Sequence, residues 1–158
     1  MDNSGISWKR NNLIIVYRET PVWLNFVDHT GDAGIWVRAA DLKELFARAA
    51  WGMFSLVTDM DAIRLIDVDV FELEATDRYS RMIRWLSELN YRHVTENRLF
   101  GKFEIIDIDE ESLAVVVRGE RLDPARHQIF TEIKAVTFHG MRLERGEKGW
   151  EAQIIFDV

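Results

Sequence analysis

Apolar residues recur every three or four positions between residues 42 and 57, and this spacing predicts an amphipathic helix. Asp41 precedes the run and can cap the helix, and Glu44 three residues later completes a capping-box arrangement. Thr58 and Asp59 are expected to end the helix. The apolar positions that predict it are Leu42, Leu45, Phe46, Ala49, Met53, Phe54 and Val57.

A second helix is predicted from about Asp77 to His93 by the same kind of spacing. Arg78, Arg81 and Arg84 recur at every third position of this helix. We expect them to form one solvated basic stripe rather than an RNA-binding footprint, with contact to a partner protein as a third use. The apolar positions of this helix are Tyr79, Met82, Ile83, Trp85, Leu86 and Leu89.

Alternation of apolar and polar residues predicts strands before, between and after the helices. Residues 33–39 predict a strand with both faces at least partly covered. The alternation over residues 66–74 changes phase, which predicts a bulge near Val70. Asp123 followed by Pro124 predicts a single helical turn. Four more strands are predicted at residues 102–108, 112–119, 133–139 and 150–157, with turns at 109–111 and 145–149.

These elements predict an α+β fold, a single-domain sandwich of mostly antiparallel sheet with two main helices. A chain of 158 residues is long enough to bury one such core. We assign residues 23–158 to this domain and residues 1–22 to an N-terminal extension. The apolar run from Leu13 to Tyr17 could add an edge strand to the sheet.

Composition and charge narrow the classes of protein that fit the chain. Without cysteine, disulfide scaffolds, thiolate zinc sites and cysteine nucleophiles are excluded. Uncharged runs are shorter than the roughly 20 residues of a membrane helix, so we expect no membrane association. With no secretory signal at the N-terminus, we expect a cytoplasmic protein. A formal net charge of -7 argues against broad binding to a nucleic-acid backbone, so any contact with RNA is expected to be indirect.

The chain contains no motif that would indicate an enzyme. It lacks the Gly-x-Ser-x-Gly nucleophile turn, the phosphate-binding Gly-x-x-x-x-Gly-Lys loop and the dinucleotide fingerprint. Its four histidines are scattered singly and do not have the spacing of zinc ligands. We therefore expect a protein without a catalytic reaction of its own.

Acidic residues near the two ends of the predicted domain are the main candidates for a site. If Asp157 and the terminal carboxylate of Val158 met Asp32 across a sheet, three oxygen donors would converge, and only a cation makes that tolerable. Taken alone, these acidic residues are better explained by plainer interpretations. Asp32 would belong to a hydrogen-bonded turn with Asp28 and His29, and Asp157 would be a solvated strand end.

Lys134 lies between apolar neighbours in the predicted strand of residues 133–139. Its stem can cover apolar surface while its ammonium group stays in water. The same side chain could equally contact an acidic partner or a phosphate. His139 closes this strand.

Four segments of the chain, taken together, resemble the archease family in order and spacing. They are residues 28–32 (Asp-His-Thr-Gly-Asp), 123–127, 131–140 and 154–158. Their joint occurrence is specific, although no single motif is decisive. The resemblance covers residues 23–158 and leaves out only the N-terminal extension.

The resemblance implies a non-catalytic protein that assists the RtcB-type RNA ligase in tRNA splicing and RNA repair, by promoting ligase guanylylation and multiple turnover. It also implies a bound divalent cation, calcium or magnesium, at the positions that match Asp32, Asp157 and Val158. Lys134 matches a lysine in the most characteristic strand of the family, which suggests contact with the ligase. The other candidates for partner contact or support are Asp28, His29 and His139.

Two other functions stay open. The family resemblance also suggests a chaperone or modulator of an RNA (tRNA) methyltransferase. A free-standing metal hydrolase could use the same carboxylates, but the sequence offers no general base or substrate-binding residues beside them. The oligomeric state and the physiological cation are not determined by the sequence.

Overall fold

The computed structural model describes residues 6–10, 13–17, 20–29 and 31–158, and for residues 6–10, 13–17 and 29 it describes the backbone alone. Strands and helices follow one another in an order that begins and ends with strands. They are β1 (Ile6–Arg10), β2 (Leu13–Tyr17), β3 (Leu24–His29), β4 (Asp32–Ala39), α1 (Leu42–Val57), a 3-10 helix (Met60–Ala62), β5 (Asp67–Glu74), α2 (Arg78–Glu96), β6 (Arg98–Ile108), β7 (Ser112–Arg121), β8 (Ala135–Gly146) and β9 (Gly149–Asp157).

The described strands form three antiparallel sheets. A four-stranded sheet has the order β3-β4-β9-β8, a three-stranded sheet has the order β5-β7-β6, and β1 pairs with β2 in a hairpin. Helix α1 packs on β4 and β6, and α2 packs on β8 and β6, so each helix contacts both larger sheets. One apolar core includes residues from both helices and both larger sheets. The predicted α+β fold with two main helices is confirmed.

Helix α1 begins as predicted, with Asp41 as its cap. The Glu44 N–H donates to Asp41 Oδ1 over 2.9 Å. The reciprocal bond of the predicted capping box differs by one position, because Glu44 Oε1 accepts from the Ala40 N–H at 3.2 Å. The buried Trp85 of α2 donates its ring N–H to the Phe46 carbonyl oxygen over 2.8 Å and so ties the two helices together.

Helix α2 begins after Asp77 as predicted, but the expected solvated stripe of arginines is wrong at Arg81. This side chain is only 2% exposed, and its guanidinium lies 5.6 Å from the centre of the Phe46 ring. Arg78 and Arg84 are exposed. A step of three residues lags the 3.6-residue helical repeat by about 60°, so arginines at that spacing wind around the helix. Arg81 therefore reaches the rim of the buried face.

The bulge predicted near Val70 is wrong. Strand β5 pairs with β7 from Asp67 to Glu74 without a shift of register. The hydrophobic pattern changes phase because Val68 and Val70 are exposed on the outer face of this sheet, while Leu73 is buried on the inner face. Asp69 also lies on the inner face, where the guanidinium of Arg98 contacts it at 3.2 Å. The ion pair explains a carboxylate at an inward position.

The later strands largely confirm the predictions. Strand β8 begins at Ala135 and runs to Gly146, with a shift of register between Thr137 and Arg142. Its turn into β9 lies between Gly146 and Gly149, as expected. The single turn predicted at Asp123 is present, because its carbonyl oxygen accepts from the His127 N–H at 2.8 Å.

The N-terminal extension and the boundary at residue 23 stay predictions, as does an edge strand added by Leu13–Tyr17. The structure describes β1 and β2 only as a pair with each other. No helix in the described part of the chain is long and apolar enough to cross a membrane.

Candidate functional site

Two aspartates lie directly opposite each other at one end of the four-stranded sheet. Asp32 is the first residue of β4, Asp157 is the last residue of β9, and the two are register partners. Directly opposed residues in antiparallel strands have Cβ atoms about 4.5–5.5 Å apart. The two carboxylates therefore leave the sheet side by side, and their like charges repel each other unless something neutralises them.

The aspartate pair projects from the outer face of the sheet, away from the helices. The adjacent residues Ala33 and Phe156 are buried in the core. Because successive residues of a strand point to opposite faces, Asp32 and Asp157 face outward. Asp32 is partly exposed and Asp157 is exposed, so an ion from solvent can reach both.

The next register pair along these strands, Gly34 and Ile155, forms a packed floor beside the aspartates. A Cβ atom at Gly34 would lie 2.7 Å from Ile155 Cδ1, closer than real side chains approach. The missing side chain leaves room for Ile155, which is buried although it points to the outer face. The end of β9 is thus held by packing on both faces of the sheet, while Asp157 itself is exposed, as expected of a solvated strand end.

Oxygen atoms dominate the donors available at this end of the sheet. Val158 follows Asp157, and its terminal carboxylate is the third donor that the sequence analysis predicts. The Asp157 carbonyl oxygen already accepts a hydrogen bond from the Lys134 N–H at 2.7 Å. Within the described residues, no group of three or more His, Cys, Asp or Glu side chains could hold a metal ion. Two side-chain carboxylates and the terminal carboxylate would suit calcium or magnesium, with water completing the shell.

Of the other predicted site residues in β3, only His29 is in register with the pair. Its backbone lies opposite Asp32 on β3, so His29, Asp32, Asp157 and Ala135 form one row across the four strands. Asp28 lies opposite Ala33 and is exposed, which places it on the other face of the sheet. The roles suggested for Asp28 and His29 stay predictions.

Lys134 is next to the aspartate pair along the backbone, while its side chain is exposed beside α2. It precedes β8, and its N–H bond to Asp157 extends the pairing of β8 with β9 by one step. A groove of about 510 Å³ runs between α2 and residues 132–136, and Lys134, Asn90 and Tyr91 are among the residues that line it. Sequence analysis missed this groove because it depends on where α2 crosses β8.

His139 is not brought to the aspartate pair. It lies in the part of β8 between Thr137 and Arg142, where the register with β9 shifts. The partner of Asp157 on β8 is Ala135, four positions away along the strand. His139 is exposed there. Its suggested supporting role stays a prediction, and the register gives it no place beside Asp32.

A buried polar cluster that the sequence did not predict holds the segment leading to Lys134. The carboxylate of Glu120 accepts from the Arg64 backbone N–H at 2.7 Å, from His127 Nε2 at 2.9 Å and from the guanidinium of Arg126. His127 Nδ1 accepts from the Asp123 N–H at 2.9 Å, so the ring proton belongs on Nε2. Each member of the cluster therefore has a partner.

Electrostatics in this cluster favour the ionised form of Glu120. Burial by itself raises the pKa of this carboxyl. The Arg64 N–H, the His127 ring and the Arg126 guanidinium outweigh burial and lower the pKa below its ordinary value of 4.5. The predicted turn at Asp123 was a signal for this arrangement, since it returns His127 to Asp123, but nothing in the sequence connected Glu120 to the turn.

The segment between β7 and β8 is fastened along its length. The Leu122 N–H donates to the Asn97 carbonyl oxygen and the Phe130 N–H donates to the Val57 carbonyl oxygen, each over 2.7 Å. At its end, Asn90 donates to the Ile133 carbonyl oxygen over 2.8 Å. These bonds fix the position from which the Lys134 side chain emerges.

Comparison with known proteins agrees with this fold. A sequence model described as the Archease protein family (MTH1598/TM1083) matches residues 24–158. Protein archease of Methanopyrus kandleri is 36% identical over 135 residues, which cover 84% of this chain and 96% of the relative. Protein archease of Methanosarcina acetivorans is 34% identical over 137 residues, covering 84% of this chain and 94% of the relative.

A solved structure has the same architecture. The solution structure of Methanobacterium thermoautotrophicum protein 1598 superposes with a TM-score of 0.72 and 33% sequence identity, covering 86% of this chain and 99% of that one. The family match spans every strand and helix from β3 to β9, including the segment with Asp32 and the final strand with Asp157. By sequence and by fold, this chain belongs to the archease family.

Proposed function

We propose that this protein binds a divalent cation and activates an RtcB-type RNA ligase in tRNA splicing and RNA repair, without catalysing a reaction itself. The observation that carries the proposal is the direct opposition of Asp32 and Asp157, next to Lys134, in a member of the archease family. The activation consists of promoting ligase guanylylation and repeated turnover.

The cation site would be formed by the carboxylates of Asp32 and Asp157 with the terminal carboxylate of Val158. Two opposed carboxylates on one face of a sheet repel each other, and a bound cation replaces this repulsion with attraction. Calcium and magnesium both accept such oxygen donors. The cation would neutralise and order the end of the sheet that is presented to the ligase.

Lys134 would supply the contact with the ligase. Its backbone is bonded to Asp157, so the exposed ammonium group extends from a fixed point beside the cation site. Once the cation has largely neutralised the carboxylates, the ammonium group of Lys134 can present its positive charge to a nucleotide phosphate or to acidic side chains of the ligase. Contact with RNA would be indirect, through the ligase, in keeping with the net charge of -7.

The test is an assay of ligase guanylylation with GTP, in the presence and absence of the purified protein and divalent cation. Asp32→Asn should abolish the stimulation, because it removes one charged ligand while keeping the shape of the side chain. Glu151→Gln is the matched control, since Glu151 is an exposed carboxylate on the same face of β9, opposite Arg38. Circular dichroism should show both variants folded.

Full stimulation by Asp32→Asn would refute the proposed role of the cation site. A different result would support the alternative of a methyltransferase modulator. In that case the unchanged protein would not stimulate the ligase, but it would alter tRNA methylation by a methyltransferase in the absence of any ligase. A ligase pull-down with and without divalent cation separates loss of binding from loss of activation.

A further inference from the structure

The groove between α2 and the segment that leads into β8 has one apolar wall. Tyr91 and Val94 of α2 line this wall, and they are 59% and 48% exposed. The two residues are three positions apart on the helix, so their side chains are neighbours on one face of it. Exposed apolar side chains that lie together beside a groove are characteristic of binding surfaces. Tyrosine is also among the residue types that contribute most to binding at protein interfaces.

The opposite wall of this groove carries one charge of each sign. It is formed by residues 132–136, and the side chains of both Glu132 and Lys134 are exposed there. Within the part of the chain that the structure describes, neither side chain takes part in an ion pair. The groove therefore presents an anionic group and a cationic group that are both open to a partner.

This charge pattern favours a peptide over a nucleotide as the occupant of the groove. A phosphate that approached Lys134 would also approach Glu132, and their like charges would repel each other. A peptide can present a carboxylate to Lys134 and a basic side chain to Glu132, which pairs both charges. The apolar side chains of the same peptide would pack against Tyr91 and Val94.

The size of the groove fits an extended segment of chain. Its volume of about 510 Å³ lies within the range of about 300–1,000 Å³ that is usual for binding pockets. Residues 132–136 form one wall along its length, and an extended segment of that length spans about 17 Å. A peptide of about five residues can therefore lie along this wall.

Hydrogen bonds hold the two walls of the groove in place. Asn90 of α2 donates to the Ile133 carbonyl oxygen over 2.8 Å, which ties one wall to the other. The Lys134 N–H donates to the Asp157 carbonyl oxygen over 2.7 Å, which ties the second wall to the end of β9. A surface that is already ordered loses less conformational freedom when a partner binds. The second bond also makes the groove continuous with the aspartate pair.

We propose that this groove binds an extended segment of the RNA ligase. A carboxylate of the segment would pair with Lys134, a basic side chain would pair with Glu132, and apolar side chains would pack against Tyr91 and Val94. The groove thus supplies affinity for the ligase, and the aspartate pair supplies the cation. The inference rests on the proposed function, because it takes the ligase as the partner that contacts Lys134.

A titration of the full-length protein in the ligase guanylylation assay separates binding from activation. The half-maximal concentration of the protein reports its affinity for the ligase, and the plateau at saturation reports activation. Tyr91→Ala should raise the half-maximal concentration about tenfold and still reach the plateau, because it removes one aromatic contact with the ligase. A half-maximal concentration equal to that of the unchanged protein would overturn the groove as the site of ligase binding.

Val94→Ser and Val68→Ser form a matched pair of variants for the same titration. The two valines are 48% and 49% exposed, but Val68 lies in β5, outside the groove. Val94→Ser should raise the half-maximal concentration several-fold, because it removes apolar contact with the segment, and Val68→Ser should not change it. Thermal denaturation should show that both variants stay folded. Equal effects of the two substitutions would contradict the proposal.

Glu132→Gln distinguishes a peptide from a phosphate by the direction of its effect. With a basic side chain of the ligase beside Glu132, loss of the carboxylate should raise the half-maximal concentration about two- to fivefold. With a phosphate at Lys134, the same substitution should lower the half-maximal concentration, because it removes a repulsion. A lower value would therefore overturn the peptide as the occupant.

The outcomes also separate this inference from the proposed function. If the unchanged protein does not stimulate the ligase at any concentration, both are wrong. If Asp32→Asn abolishes stimulation while Tyr91→Ala behaves as the unchanged protein, only the assignment of the groove is wrong. Analytical ultracentrifugation of the protein alone tests for a second copy in the groove. A dimer that Tyr91→Ala converts to a monomer would overturn the ligase segment as the occupant.

Discussion

Lys134 donates its backbone N–H to the carbonyl oxygen of Asp157 over 2.7 Å. The bond joins the residue expected to contact a partner to a residue expected to hold a cation. Asp157 in turn lies directly opposite Asp32. Variants at these three positions can therefore be used to measure cation binding and partner contact separately. The first two predictions do so.

Removing one charge from the aspartate pair should have opposite effects with and without a cation. In a chelator, Asp157→Asn should be at least as stable as the unchanged protein, because it removes repulsion between opposed carboxylates. With calcium, only the unchanged protein should gain stability, by about 2.7 kcal/mol at a free concentration 100 times the dissociation constant. Thermal denaturation with and without calcium measures both. A calcium-dependent shift of equal size in Asp157→Asn would contradict the assignment.

Lys134 should matter for the ligase and not for the cation. Lys134→Ala should lose stimulation of guanylylation while calcium binding, measured by calorimetry, stays within about twofold, because the hydrogen bond to Asp157 comes from the backbone of Lys134. Lys134→Arg keeps the charge and should retain part of the stimulation. The backbone N–H is present in both variants, so the end of β9 stays anchored. Loss of calcium binding in Lys134→Ala would show that its role is structural.

Glu120 should make stability depend on pH. Its pKa is lowered in the folded protein from the ordinary value of 4.5, so its contribution is present above pH 4.5 and is lost as the pH falls through the folded pKa. Glu120→Ala should cost about 1–3 kcal/mol at pH 7, because it leaves the buried His127 ring N–H and the Arg64 backbone N–H without their acceptor. Urea denaturation at pH 7 and at lower pH measures both effects. The variant should lose part of the acid sensitivity, and an unchanged pH profile would refute this assignment.

Gly34 should be sensitive to the smallest added side chain. Gly34→Ala would bring a Cβ atom to 2.7 Å from Ile155 Cδ1 and 3.0 Å from the Ile154 carbonyl oxygen, and should destabilise the protein. Overpacking of this kind typically costs about 1–3 kcal/mol. Gly146→Ala is the control, since its nearest neighbour would lie 3.9 Å away, at the Gly149 carbonyl oxygen. Chemical denaturation of both variants measures the difference, and equal stability would show that β4 and β9 can separate at this point.

Local patterns predicted most of the secondary structure. Helix α1 was predicted by its apolar spacing and the Asp41 cap, since both act within a few residues of one another. Local patterns failed where the burial or exposure of a residue depended on a distant part of the fold. Arg81 is buried because Phe46 of the other helix lies against it. The phase change near Val70 arose from valines on an exposed face and not from a bulge.

For the candidate site, the sequence by itself determined the donor chemistry: a chain without cysteine, with Asp32 before one strand and Asp157 at the end of another. Tertiary structure decided that these two residues are register partners, because sheet order and register depend on contacts between strands more than 100 positions apart. It also decided the setting of Lys134, through bonds from Asn90, Val57 and Asp157. Residue types can be read directly from the sequence, whereas the meeting of two like charges depends on which strands pair and in which register.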